Sequence, residues 1–133
     1  MDVERINPAE LARPSGFSHA VSVTASRMVF LAGQVGMDRD GTVVSGGVVA
    51  QFEQALANLL TALAAAGGQP ANLVSLTIYI VDLADYQARG KEIGAVWRRL
   101  AGTEYPAMAG VGVARLWLPA ALVEIQGTAV VNG

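Results

Sequence analysis

The pattern that most constrains this chain is a helix followed by an apolar strand, and it occurs twice. Residues 48–66 place apolar side chains at three- and four-residue steps, which predicts a helix that ends before Gly67-Gly68. Residues 73–81 are apolar on both alternating faces, which predicts a central strand. Because strand–helix–strand connections are right-handed, both helices are expected on one face of a sheet. The pattern therefore predicts a two-layer α+β domain.

The second helix is predicted at about residues 86–101, with Asp85 as its N-cap. Residues 105–131 follow it and contain two apolar strands on either side of residues 118–120, which predicts a hairpin. If both helices cover one face of the sheet, its other face keeps apolar side chains that need a cover. Self-association is the simplest way to provide one.

The first third of the chain predicts a further pair of strands. Residues 18–25 and 28–35 form two strand-like segments, which predicts a hairpin with a tight turn at Ser26-Arg27. Gly33, near the end of the second segment, predicts a bulge or a close approach of the backbone. Residues 1–16 contain prolines and a glycine and are predicted to be irregular.

The composition limits the possible classes of protein. The 133 residues suit a single domain, residues 1–133, and only 15% are charged, against about 25% in a typical soluble domain. A chain this apolar is expected to hide surface in an oligomer. The net charge of −2, without a basic cluster, argues against nucleic-acid binding. With no cysteine and a single histidine, no metal site or cofactor is predicted.

No segment predicts membrane insertion or export. The longest apolar runs are shorter than the ~18 residues that suggest a membrane span. The N-terminus is charged and lacks the apolar stretch of a signal peptide. The sequence therefore predicts a cytoplasmic protein.

Glu124 is the main candidate for chemistry, because it is a lone carboxylate in the middle of an apolar strand. A charge at such a position is either turned toward water or held in a site, and the pattern alone leaves both interpretations open. His19, the single histidine, is interpreted as a hydrogen-bonded structural residue.

Several short motifs resemble, in their order and spacing, the reactive intermediate/imine deaminase (RidA/YjgF) family over residues 15–131. The matching segments are Gly16-Phe17-Ser18-His19-Ala20, Ala32-Gly33-Gln34, Tyr105-Pro106-Ala107, Val113-Ala114-Arg115-Leu116 and Val123-Glu124-Ile125-Gln126. The resemblance implies a chorismate-mutase-like two-layer fold, with a mixed six-stranded sheet and two helices on one face. It also implies a homotrimer with small-molecule clefts between neighbouring subunits.

In active members of this family, an arginine directly after Pro-Ala binds the substrate carboxylate. A glutamate on the last strand positions the water that hydrolyses an imine or enamine. The resemblance makes Glu124 the catalytic candidate and places Met108 at the arginine position, where a thioether replaces a bidentate cation. The ligand-binding candidates are Phe17, Ala32, Gly33, Tyr105, Met108 and Gly110.

Three functions follow as alternatives. The first is a homotrimer that binds a small metabolite, with weak or absent deaminase activity because the arginine is missing. The second is a hydrolase acting on a less anionic substrate, with Glu124 holding the water. The third is a non-enzymatic trimer that binds another protein. Arg115 is the nearest cation in sequence, and it is interpreted as a salt-bridge residue rather than a replacement for the arginine.

Overall fold

The computed structural model describes residues 2–24 and 27–132, and within them the chain forms six strands and three α-helices. In chain order these are β1 (Asp2–Ile6), β2 (Ala20–Thr24), β3 (Arg27–Val35), α1 (Gly47–Ala65), β4 (Leu73–Ile80), α2 (Leu83–Ala88), α3 (Gly90–Ala101), β5 (Ala107–Gly112) and β6 (Val123–Val131). The predicted α+β class is confirmed. The strands divide between a two-stranded sheet, β1-β2, and a four-stranded sheet in the order β3-β6-β4-β5, rather than forming one sheet of six.

Neither predicted hairpin forms. Strand β6 lies between β3 and β4 and is antiparallel to both, whereas β5 pairs with β4 in parallel. Strand β2 pairs with β1 and not with β3. The predicted tight turn includes Ser26, which lies outside the described residues. Burial explains why β5 and β6 do not form the predicted hairpin. Strand β6 carries Val123 and Ile125, both fully buried, so it takes a central place in the sheet. Strand β5 is mostly exposed and takes the edge.

Helix α1 forms the centre of the hydrophobic core, as predicted. Its periodic leucines pack against β3 and β6, and Gly67 in the left-handed region ends the helix with a bond from the Gly68 amide to the Leu63 carbonyl (3.0 Å). By length and composition alone, this helix could cross a membrane. The side chains that it buries inside the domain are Val48, Gln51, Phe52, Ala55, Leu56, Leu59 and Leu63. Such burial is what a core helix of a soluble protein has.

The second helical region is interrupted. Helix α2 begins after Asp82, whose carboxylate accepts a hydrogen bond from the Asp85 amide (3.0 Å), so the predicted N-cap at Asp85 is wrong. Arg89 separates α2 from α3. Helix α3 packs against α1 and buries Ile93, Val96 and Trp97.

The N-terminal segment, predicted to be irregular, contains strand β1. Arg5 fixes this strand to the rest of the domain, because its guanidinium group donates to the carbonyls of Ala71 (2.9 Å) and Tyr105 (3.3 Å). It also pairs with Glu104 at 3.3 Å. Two of these contacts hold the segment directly before β5, at Glu104 and Tyr105.

Apolar side chains remain exposed on the face of the four-stranded sheet away from the helices. Phe30 is 75% exposed and Met28 is 57% exposed, both on β3. Polar side chains of β4 and β6, including Thr77 and Gln126, line the same shallow depression as Phe30. This outer face is therefore mixed in character rather than uniformly apolar.

Candidate functional site

Glu124 lies on the outer face of the sheet. Its neighbours in β6, Val123 and Ile125, point into the core, so the alternation of the strand turns Glu124 the other way. It pairs with Tyr79 of β4, but the tyrosine hydroxyl donates to Gln126 (3.1 Å) and not to the carboxylate. In the part of the chain that the structure describes, the Glu124 carboxylate has no hydrogen-bond or ion-pair partner, so it is free to bind a ligand or water.

Gly33 determines where the Glu124 carboxylate can lie. The register between β3 and β6 shifts between Leu31 and Gln34, which is the predicted irregularity. A Cβ atom built on Gly33 would overlap the Glu124 Oε2 atom, so only glycine allows the carboxylate this position. The expected close approach at Gly33 is confirmed, and its partner is the candidate catalytic group. The adjacent Ala32 is exposed on β3.

The cavity around Glu124 has a volume of about 410 Å³. It is lined by Gly33, Val35, Met37, Gly41, Trp117, Leu118 and Glu124. No lysine or arginine belongs to this lining. Trp117, which the sequence reading did not select, is 91% exposed and provides the aromatic wall. Its signal in the sequence was a large aromatic residue between two leucines, directly before the predicted turn at residues 118–120.

Gln51 of the core helix holds the segment that carries this wall. Its side chain is buried and donates to the Ala120 carbonyl (3.2 Å), and its carbonyl oxygen accepts from the Leu122 amide (2.8 Å). These two bonds fix the end of the connection between β5 and β6. Gln51 therefore positions the loop from which Trp117 and Leu118 reach the Glu124 cavity.

Met108 and Gly110 lie on the opposite face of the sheet from Glu124. They pair with Leu76 and Ile78 of β4, whose side chains are buried against the helices. Met108 is half-buried and packs against the core. A single chain therefore does not bring Met108 and Glu124 together.

A second cavity, of about 300 Å³, lies on this helical side. Ile78 and Met108 line it from the sheet, Tyr105 lines it from the segment before β5, and Tyr86 and Trp97 line it from the helices. The rings of Trp97 and Tyr105 stack with their centroids 6.1 Å apart. Trp97 is buried, and Tyr105, one of the ligand-binding candidates, is half-buried.

The N-terminal motif is fixed to the start of β5. The Ser18 hydroxyl donates to the Tyr105 carbonyl (2.7 Å), and the Ser18 amide donates to the Pro106 carbonyl (3.0 Å). Phe17 is half-buried and contacts His19 edge to face. A ring nitrogen of His19 lies 2.7 Å from the Ala12 carbonyl, so its structural interpretation is confirmed. Gly16, directly before Phe17, lines the helical-side cavity, and Phe17 itself is in the lining of neither cavity.

The charges near the site are few. Arg115 lies beyond the end of β5 and is exposed, with no ion pair inside the described ranges 2–24 and 27–132. It lines a depression that shares Trp117 with the Glu124 cavity, so it lies next to that cavity without lining it. Within the same ranges, no group of three or more histidine, aspartate or glutamate side chains could hold a metal ion.

Comparison with known proteins identifies the family. The family model described as Endoribonuclease L-PSP matches residues 8–131. The chain belongs to the RidA/YjgF family. The 2-iminobutanoate/2-iminopropanoate deaminase of Capra hircus is 34% identical over 113 residues, which cover 84% of this chain and 79% of that protein. The human protein of the same name is 31% identical over 113 residues, with the same coverage of 84% and 79%.

Solved structures of RidA/YjgF proteins agree with this assignment. A Rid-family protein of unknown function from Yersinia pestis, YyfB, has a TM-score of 0.88 and 38% identity, covering 98% of this chain and 100% of that one. RidA from the Antarctic bacterium Psychrobacter sp. has a TM-score of 0.69 and 30% identity, covering 90% and 92%.

Proposed function

We propose that this protein is a cytoplasmic homotrimer that binds a small metabolite in clefts between its subunits. We further propose that its deaminase activity toward 2-imino and 2-enamino acids is weak or absent. The relatives named 2-iminobutanoate/2-iminopropanoate deaminase support the general chemistry. The geometry and charge of the site support the reduced activity.

The observation that carries the proposal is the charge of the cavity around Glu124. Its lining includes this carboxylate and no lysine or arginine. A 2-imino acid brings a second carboxylate, which would lie near Glu124 without a positive partner. Leaving a buried charge unpaired costs about 2–5 kcal/mol of binding, or a loss of roughly thirty-fold to several-thousand-fold in affinity.

Met108 supports the same conclusion if it occupies the position of the carboxylate-binding arginine, as the motif Tyr105-Pro106-Ala107 implies. A thioether is apolar and cannot donate two parallel hydrogen bonds to a carboxylate. Its side chain also packs against the core, where it lines an apolar cavity. The Met108 side chain therefore offers an anion neither a charge nor a hydrogen-bond donor.

The assembly is supported by the separation of the site residues. Glu124 faces outward from the sheet and Met108 faces the helices, so a cleft that contains both requires two copies of the chain. Phe30 and Met28 provide exposed apolar surface on the outer face for such a contact. A trimer satisfies both requirements with one repeated interface.

A second candidate function is hydrolysis of an imine that lacks a carboxylate. The observation that favours it is that Trp117 and Glu124 line one cavity, because an aromatic face and a carboxylate together attract a protonated imine. Glu124 would accept a proton from water as the water oxygen adds to the imine carbon. Glu124 would then return that proton to the nitrogen of the carbinolamine and accept the hydroxyl proton as the C–N bond breaks, so that ammonia leaves and a carbonyl product forms.

The first experiment measures hydrolysis of 2-imino acids that an amino-acid oxidase generates, with semicarbazide competing for them. The human relative serves as the positive control, and Met108→Arg is tested beside the wild type. We expect the wild type to be at least about thirty-fold slower than the control, and Met108→Arg to be faster than the wild type. A wild type as fast as the human protein would show that another group receives the carboxylate.

The second experiment separates the remaining alternatives. An amine oxidase supplies an imine without a carboxylate, and Glu124→Gln is compared with the wild type at equal trimer content. If Glu124 holds the water, the variant loses the hydrolysis that the wild type shows. Hydrolysis that survives in Glu124→Gln would exclude that role. A protein that hydrolyses neither class and binds no small molecule would instead be a protein-interaction trimer.

A further inference from the structure

Arg115 is an exposed cation beside the candidate site, and the fold of a single chain gives it no partner. It forms no ion pair within the described part of the chain. Its side chain and Trp117 line one depression, and Trp117 also lines the cavity around Glu124. One aromatic wall therefore connects an arginine that has no ion pair with the cavity that contains the candidate catalytic carboxylate.

Backbone hydrogen bonds hold both ends of the segment between β5 and β6, which carries the arginine and the aromatic wall. At its start, the Val113 amide donates to the Ile80 carbonyl (2.9 Å). At its end, the Val81 amide donates to the Leu122 carbonyl (3.0 Å). Both bonds attach the segment to the end of β4. The backbone between them is restrained in the free protein, so less flexibility is lost when a ligand binds.

Arg39 is a second exposed arginine near the cavity, and its surroundings differ from those of Arg115. It lines a depression that shares Met37 with the Glu124 cavity. Two aspartates flank Arg39 in the chain, whereas apolar residues flank Arg115. Because opposite charges this close together weaken each other's field, Arg115 attracts an anion more strongly than Arg39 does.

The position of Arg115 selects among carboxylic acids. In a 2-imino acid the carboxylate is bonded to the imine carbon, so it lies beside Glu124 whenever the imine does. A carboxylate separated from the imine by several methylene groups can instead extend past Trp117 toward Arg115, with its methylene groups packed on the indole ring. The protonated imine then lies near Glu124, so both charges of the molecule have partners of opposite sign.

We propose that the substrate is an imine whose carboxylate is several bonds away from the imine carbon, and that Arg115 is the specificity-determining residue that binds this carboxylate. The inference rests on the proposed function, because it uses the same cleft. Water adds to the imine carbon, the C–N bond breaks, and the products are ammonia and an aldehyde that keeps the carboxylate. Oxidation of the terminal amine of an amino acid, by an enzyme with its own electron acceptor, is the class of reaction that supplies such an imine.

The test compares three stable amines, in which an ammonium group stands in for the protonated imine. They are 5-aminopentanoate, with a remote carboxylate, pentylamine, without one, and 2-aminopentanoate, with an adjacent one. The chain has two tryptophans, so a nitrogen-15 proton correlation spectrum contains two indole signals, and Trp117→Phe identifies the Trp117 signal. We expect titrations of that signal to show that 5-aminopentanoate binds about ten-fold more tightly than either other probe, the gain from one hydrogen bond to a charged group.

Two arginine variants test the assignment of the carboxylate receptor. Arg115→Gln should remove the preference for 5-aminopentanoate. Arg39→Gln is the matched control, because it makes the same exchange at an exposed arginine near the same cavity, and it should keep the preference. Raising the salt concentration from about 0.01 M to about 1 M should weaken the preference of the wild type, since the charge pair is exposed and is therefore screened.

The results that would overturn this inference differ from those that would overturn the proposed function. Equal binding of 5-aminopentanoate and pentylamine, tighter binding of 2-aminopentanoate, or a preference that survives in Arg115→Gln would show that Arg115 does not select a remote carboxylate. A Trp117 signal that none of the probes shifted would refute it as well. The proposed function is decided separately, by the hydrolysis of 2-imino acids and of amine-derived imines, which does not depend on Arg115.

Discussion

Gly33→Ala is expected to displace the Glu124 carboxylate while leaving the fold nearly as stable as before. The new Cβ would overlap Oε2 and lie 2.9 Å from Cδ and 3.2 Å from Cγ of Glu124. These atoms belong to a half-exposed side chain, which can rotate outward at a cost of about 0.5–1.5 kcal/mol. Gly33 has no positive φ, so alanine also restricts the unfolded chain, which stabilises the fold by roughly 0.4–1 kcal/mol. The net change in unfolding free energy is therefore about 1 kcal/mol or less.

Gly36→Ala is the matched control, three residues further along the chain. Its Cβ would lie 2.5 Å from the Gln51 carbonyl oxygen and 2.6 Å from the Gln51 Cα, which are backbone atoms of α1. Backbone in the core helix cannot rotate aside, so we expect a loss of about 3 kcal/mol, the upper part of the range for overpacked cores. The two substitutions add the same methyl group, and only the partner that must move differs between them.

Urea unfolding of both variants measures the stability difference, and hydrolysis of the amine-derived imine measures the effect on Glu124. We expect Gly33→Ala to unfold near the wild-type midpoint and to lose Glu124-dependent hydrolysis. If Gly33→Ala were as unstable as Gly36→Ala, the carboxylate would be held rigidly, and the assumption that it rotates would be wrong. If its hydrolysis matched the wild type, the position that Gly33 gives to Glu124 would be unimportant for the chemistry.

Two further substitutions test how the site is supported. Gln51→Leu should lower the unfolding free energy by about 2–4 kcal/mol, because it leaves the Leu122 amide and the Ala120 carbonyl without partners. Chemical denaturation measures this loss. A loss below about 1 kcal/mol would mean that water replaces both hydrogen bonds. Tyr86→Phe tests the raised pKa of Tyr86. The tyrosine has a pKa near 10 in the unfolded chain and about 12 in the folded protein, where burial raises it. Stability from this group is present below pH 10 and lost as pH rises toward 12, so between pH 8 and pH 11 the wild type should lose roughly 1 kcal/mol more than the variant. Equal losses in paired urea titrations would contradict the raised pKa.

The sequence predicted the helices and strands better than it predicted which strands pair with each other. Helix α1 and strand β4 were predicted within one residue at each end, because their apolar periods are long and uninterrupted. Alternation along β5 and β6 assigns side chains to faces, but it contains no information about which strands pair. The predicted hairpin failed for that reason, since β6 takes the central place between β3 and β4. Strand β1 was missed because the prolines that follow it suggested irregular backbone.

Unknown strand pairing also limited what the sequence could predict about the candidate site. The motifs selected Gly33 and Glu124, and the close approach of these two residues agrees with that choice. The motifs could not reveal that Met108 faces the helices while Glu124 faces outward, because that depends on how each strand is registered against β4. The helical-side cavity also depends on tertiary packing. Glycines in a predicted helix do not indicate which face of the helix turns toward the sheet until the helix is packed against it.

Met108 determines the character of the helical-side cavity that it lines. If it occupies the position of the arginine clamp, an arginine there would extend into a cavity whose walls are Phe52, Ile78 and Trp97. A guanidinium group buried among such side chains needs an anionic partner, and without one it is costly. Methionine removes that cost and leaves apolar volume beside Trp97. Methionine at this position therefore accounts both for the missing anion receptor and for the apolar walls of the cavity.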